Sequence, residues 1–320
     1  MKLARLHLLA LFVPLMVIAS VGAVRAENAV APVTTAPTSY TWKAGDVYRF
    51  DYFKSITLAA NLKDPTDQRK TDVAGILIFE VASDGKATMR FDSPRVTLPE
   101  VIIYSSQSED PEVQKDKTRV IAKTIEGALK AARWDVQLGS DGTLHIRDRK
   151  PGNFIEWAKE VESAGGWRKK SFKGLQQLID NDLGLKVQVD DQDIFLCLGN
   201  PAPAPAAKAE TALRPVRTKA VEAGVDGEKT RFTFTRVAPV DAGKPFVIPD
   251  MTAPGQMAVT LNKVQSVDGT AVMDNRLAML DTLNEEFTTD VLVTYGKESE
   301  SRQVRVQYRI KRLAPPITKQ

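Results

Sequence analysis

From Tyr40 the run YTWKAGDVYRFDYFKSITLAA alternates with a period of two. Tyr48, Phe50, Tyr52, Ile56 and Leu58 fall on one side. Arg49, Asp51, Ser55 and Thr57 fall on the other, with Phe53 as the exception. That spacing predicts a long half-buried strand. VAGILIFEVA, from Val73, is apolar on both faces in its middle and reads as a second strand, in which Gly75 marks a bulge or a close backbone approach. KATMRF then returns with Ala87, Met89 and Phe91 on one face, and RVTLPEVIIY continues until Pro99 interrupts it. Similar patterns recur in WDVQL, TLHIRD, LKVQVDDQDIFLCLG, RFTFTRV, MAVTLNKVQSV, TAVMDNRLAML and TTDVLVTYG. In the closing RQVRVQYRIKRL, Val304, Val306, Tyr308 and Ile310 oppose Arg305, Gln307, Arg309 and Lys311, which predicts one wet, basic face.

Three of the corners carry Asp-Gly: Asp84-Gly85, Asp141-Gly142 and Asp268-Gly269. Asp-Gly between alternating segments is a hairpin signal, because tight turns need positive φ, so each is read as a hairpin. After each turn an apolar pair stands on one face: Ala87 and Met89, Leu144 and Ile146, Ala271 and Met273. Helical spacing appears in mid-chain. Phe154, Trp157, Ala158 and Val161 share one face, and Phe172, Leu175, Ile179 and Leu183 share another. RVIAKTIEGALKAARW is ambiguous; Ile121, Ile125, Ala128, Leu129 and Ala132 suit a helix face that Gly127 weakens. The pattern predicts an α+β fold. A large curved antiparallel sheet, half-barrel-like and of about 11–13 strands, packs on two mid-chain helices near residues 153–183.

The N-terminus adds a compartment. A basic start, the apolar run from Leu8 to Val21 and the small-residue exit VGAVRA read as a signal peptide over 1–26 with cleavage after Ala26. A retained single-pass anchor is the alternative. Residues 27–39 read as a disordered leader, 40–199 as a β-rich region, and 200–229 as a Pro/Ala-rich linker. Residues 230–320 either complete the sheet or form a second subdomain. The expected location is periplasmic or extracellular. Of the 44 Lys+Arg, three lie in the signal, which leaves 41 against 40 Asp+Glu. That balance gives no field for nucleic acid. The lone Cys197 excludes an internal disulfide and, in DIFLCLG, reads as a buried, unreactive thiol.

Candidate chemistry is thin. Beyond the signal the chain has one histidine, His145. It falls on the face opposite Leu144 and Ile146, where it reads as a surface strand residue and not as part of a catalytic relay. The acids Asp180 and Asp182, and Asp190, Asp191 and Asp193, lack the spacing of a calcium loop. They read as solvated turns, with a carboxylate-pair hydrolase as the minor alternative. GGWRKKSFKG reads as a helix with solvated cations, or as a surface for an anionic membrane or acidic partner. No phosphate-cradling loop or nucleophile elbow occurs. No enzyme activity, metal or cofactor is expected. Tyr48, Phe50, Tyr52, Leu77, Phe79, Met89 and Phe91 form an apolar face that either lines a pocket for an apolar ligand or is core.

YTWKAGDVYRFDYF, FEVASDGKATMRF, WDVQLGSDGTLHIRD, VAPVDAGKPF and the closing VRVQYRI resemble uncharacterised secreted bacterial β-rich proteins, a group with no assigned activity. The layout is more distantly similar to the half-barrel of outer-membrane lipoprotein carriers, which would imply a curved sheet holding acyl chains. The resulting expectation is an exported, non-catalytic envelope protein that binds a lipid or other apolar ligand. A structural or protein-interaction module with an envelope partner is the alternative.

Overall fold

The computed structural model describes residues 39–83, 85–98, 119, 122–123, 125–127, 129–150, 194–198, 215–239, 242–249, 256–295, 298–313 and 317–318. Alternation of buried and open side chains builds β1 (Asp46–Ala59), β2 (Arg69–Ser83) and β3 (Lys86–Thr97), and it is interrupted where Lys54 and Ser55 are both buried, where Leu77, Ile78 and Phe79 are buried in succession, and at Asp92 and Ser93. Turns of left-handed backbone connect the next strands. Gly85 has φ 73° between β2 and β3, and Gly142 has φ 89° between β4 (Arg133–Leu138) and β5 (Leu144–Lys150). In the second turn Asp141 Oδ1 accepts from the Thr143 backbone N–H at 3.0 Å and from its hydroxyl at 2.7 Å, the bond pattern that makes Asp favourable at such corners.

The remaining strands are β6 (Val216–Arg217), β7 (Val221–Asp226), β8 (Lys229–Phe234), β9 (Arg236–Val237) and β10 (Pro245–Pro249). They are followed by β11 (Gln256–Ser266), β12 (Gly269–Asp274), β13 (Met279–Tyr295), β14 (Glu298–Arg312) and β15 (Ile317–Thr318). Thirteen of these strands form one sheet in the order β5-β4-β3-β2-β1-β14-β13-β12-β8-β7. Within that sheet β11 pairs with β13, β10 with β11 and β15 with β1. The order is open, not closed into a barrel. β6 and β9 make a separate two-stranded ribbon. The pairing of β14 with β1 over ten residues joins the two ends of the chain in one sheet. β6 and β7 fall inside the Pro/Ala-rich stretch 200–229.

Two expectations need correcting. The third Asp-Gly is not a hairpin. β11 and β12 do not pair with each other but lie along the same strand, β13. Gly269 therefore needs no positive φ. A Cβ there would stand 2.5 Å from the Phe234 ring, so Gly is required for close approach of that ring. The sheet also does not pack on two helices among the described residues, which are mostly β. The helical residues seen fall in 119–131, here α1, the segment whose pattern was ambiguous. Ala122, Ile125, Leu129 and Ala132 at its end are buried on one face, and tertiary packing outweighs the cost of Gly127. Arg133 Nη1 donates to the carbonyls of Lys130 at 2.9 Å and Ala132 at 2.8 Å, which closes the helix end. The helices expected near 153–183 lie outside the described residues. Gly75 meets both of its readings: the β2–β3 register shifts between Ala74 and Ile76, and a Cβ would lie 3.1 Å from Pro94 Cα.

Candidate functional site

One face of the sheet changes character along its strands. At the first end, the register sets Tyr48 beside Phe79, Phe50 beside Leu77, Leu77 beside Phe91 and Phe79 beside Met89. With Tyr52 these are the seven residues singled out from the sequence, and all are brought together and buried. Side chains from distant segments fill the space over them. The Phe195 ring centroid lies 5.4 Å from that of Phe50 and 5.3 Å from that of Phe79. Tyr40 and Trp42 pack on Phe195, and Trp134 packs on Phe91. Ile125 and Leu129 of α1 join the same core. The Tyr40 hydroxyl donates to Leu196 O at 2.8 Å, and burial pushes its pKa far up, so it stays a neutral donor. This end is packed core. Its seven residues were legible in the alternation; Phe195 was signalled only as part of an apolar run.

The next cross-strand row is charged. Lys54 pairs with Tyr308, and Tyr308 with Glu285, on β1, β14 and β13. The Lys54 ammonium stands 4.9 Å from the Tyr308 ring centroid. Glu285 is almost fully enclosed, with its side chain 1% exposed. Two guanidinium groups close on it. Arg217 Nη2 donates to Oε2 at 2.7 Å, and Arg236 Nε donates to Oε1 at 2.5 Å. Arg217 and Arg236 are directly opposed on β6 and β9. Like charges opposed in this way repel, and the shared carboxylate reverses the sign of the interaction. The spare donors are used as well: Arg217 Nη1 reaches Phe195 O at 3.1 Å and Arg236 Nη1 reaches Pro215 O at 2.9 Å. Phe234 lies under Arg217, and Phe287 lies under Arg236. Burial alone would raise the Glu285 pKa, but the two guanidinium groups hold it below the ordinary carboxylate value. No sequence pattern announced this cluster, because its members lie far apart in the chain and meet only through the register.

Beyond that row the face is apolar again. Ile56, Val306 and Phe287 form one cross-strand row. Leu58, Val304, Thr289 and Val264 form the next, across β1, β14, β13 and β11. Here Ile56, Leu58, Val304, Val264, Val291 and Val293 are only half-buried, unlike the enclosed rings at the first end.

The other candidates separate. His145 is exposed on β5. Cys197 is half-buried, not buried as expected, because it lies at the edge of the 194–198 segment while Ile194, Phe195 and Leu196 take the inward positions. Asp180, Asp182, Asp190, Asp191, Asp193 and the GGWRKKSFKG stretch lie outside the described residues. Among the described residues no helix is long and apolar enough to cross a membrane.

No family model matches the chain, and no curated protein matches it. Among solved structures, a lipovitellin described for its lipid–protein interactions aligns with 88% of this chain and 26% of its own length, at 11% identity and a TM-score of 0.41. The chain thus spans about a quarter of that protein. An enduracididine biosynthesis enzyme, MppR with HEPES buffer bound, aligns with 90% of this chain and 98% of its own at 10% identity, with a TM-score of 0.10. Neither likeness is close enough to carry a fold or a function to this chain. The weak likeness found is to a lipovitellin, not specifically to an outer-membrane lipoprotein carrier.

Proposed function

We propose that this chain is an exported, non-catalytic protein whose sheet holds an apolar ligand on the aliphatic half of its inner face. The observation that carries the reading is the contrast along that face. At one end large rings are sealed by Phe195 and α1. Past the Glu285 row Val306 is buried beside Phe287, but Ile56, Leu58, Val304, Val264, Val291 and Val293 on four neighbouring strands stay half-open. Side chains of this kind over a wide sheet face suit an extended ligand without directional hydrogen bonds, such as an acyl chain. In this reading the sheet is curved and half-barrel-like, and the ligand lies in its concavity. The apolar run before Ala26 supports export.

Native mass spectrometry of gently purified protein tests the proposal. The expected spectrum shows the chain carrying a lipid-sized adduct that organic extraction removes. A clean unliganded mass before extraction would overturn it.

A further inference from the structure

The opposite face of the same strands carries a second feature. A cleft of about 490 Å³ opens on the outer side of β1, β14, β13 and β12, within the roughly 300–1,000 Å³ of small-molecule sites. Its floor is a cross-strand row in which Phe53 pairs with Arg309, Arg309 with Asn284, and Asn284 with Thr270. The Arg309 guanidinium lies 4.4 Å over the Phe53 ring. Val267, 62% exposed, stands on the wall formed by the β11–β12 connection.

The charges in and around the cleft are balanced locally. Lys70 meets Asp72 at 3.2 Å, and Arg305 meets Glu286 at 3.6 Å. Such an arrangement has no excess of one sign to select an ion. Gln307 Nε2 donates to Glu286 Oε2 at 2.6 Å, which leaves Gln307 Oε1 as an acceptor. Ser55 sits in the next row, directly between Asp72 and Gln307. Its hydroxyl and Asp72 Oδ1 are buried and have no partner among the described residues. Neither Ser55 nor Asp72 lines the cleft, so these unpaired atoms belong to the sheet beneath and not to the site.

We propose that this cleft binds a neutral oligosaccharide. A sugar ring has an apolar C–H face to lie against Val267 and the part of the half-buried Phe53 ring that Arg309 does not cover. Its rim of hydroxyls, each both donor and acceptor, matches the closely mixed donors and acceptors of Asn284, Gln307, Thr270 and Arg309. The site is on the face opposite the aliphatic one and stands or falls separately from it.

Saturation-transfer NMR of the full chain with maltotetraose, cellotetraose, mannotetraose and chitotetraose, each at millimolar concentration, tests the assignment. At least one should receive saturation. Phe53→Ala and Asn284→Ala should each weaken that binding by about tenfold or more. Asn284→Ala alters an exposed side chain, so its urea midpoint should match the parent. Absence of transfer to all four sugars, or binding indifferent to both Phe53→Ala and Asn284→Ala, overturns the proposal.

Discussion

Glu285 holds two guanidinium groups that would otherwise repel, inside a site nearly closed to water. Removing it leaves both cations buried without their counter-charge. Glu285→Ala should therefore lose about 3–5 kcal/mol of unfolding free energy in urea at neutral pH. A loss below about 1 kcal/mol would mean that the guanidinium groups find other partners. The same carboxylate sets an acid limb. Its folded pKa is depressed, so its contribution is fully present above the unfolded pKa and is lost as pH falls through the folded one. Urea midpoints measured from neutral pH down into the acid range should fall steeply in the parent and less steeply in Glu285→Gln; parallel curves would contradict this. Gly269 is the other decisive residue. Gly269→Ala drives a methyl into the Phe234 ring and should cost roughly 1–3 kcal/mol. Combining it with Phe234→Leu should recover part of that loss, and a strictly additive double mutant would count against the contact.

At the scale of elements, alternation made β1, β3 and β14 legible, because each buries one face over much of its length and a period of two follows, while β2 was legible as an apolar run that buries both faces in its middle. The first two Asp-Gly pairs were legible as turns for the same reason: Gly85 and Gly142 need left-handed backbone. The third was misleading. Asp268-Gly269 has identical chemistry, but its Gly answers to a ring from β8, a partner distant in sequence. α1 was half-legible. Its Ile125–Leu129 spacing fitted a helix, and only the core it meets decides between helix and strand. The charged row was not legible at all, since Arg217, Arg236 and Glu285 share no local pattern. Element-level packing also predicts that Gly75→Val is poorly tolerated. Its Cβ would press on Pro94 Cα and Asp92 O at the β2–β3 bulge, and a loss of about 1–3 kcal/mol is expected by thermal or urea denaturation. An unchanged midpoint would show that the bulge relaxes freely.

At the scale of the molecule, β14 against β1 makes one sheet from the two ends of the chain, so one of its faces runs from the ring-packed core through the Glu285 row to the aliphatic rows. The Glu285 row divides that face into a closed half and a more open half, and the proposed ligand lies on the more open half. Titration of the purified chain with a long-chain fluorescent fatty acid, alongside a Leu58→Asp/Val304→Asp variant, is the most direct test. Saturable binding by the parent and its loss in the variant are expected, with the unfolding transition retained because both positions are half-buried. No binding by the parent, or equal binding by the two proteins, would contradict it.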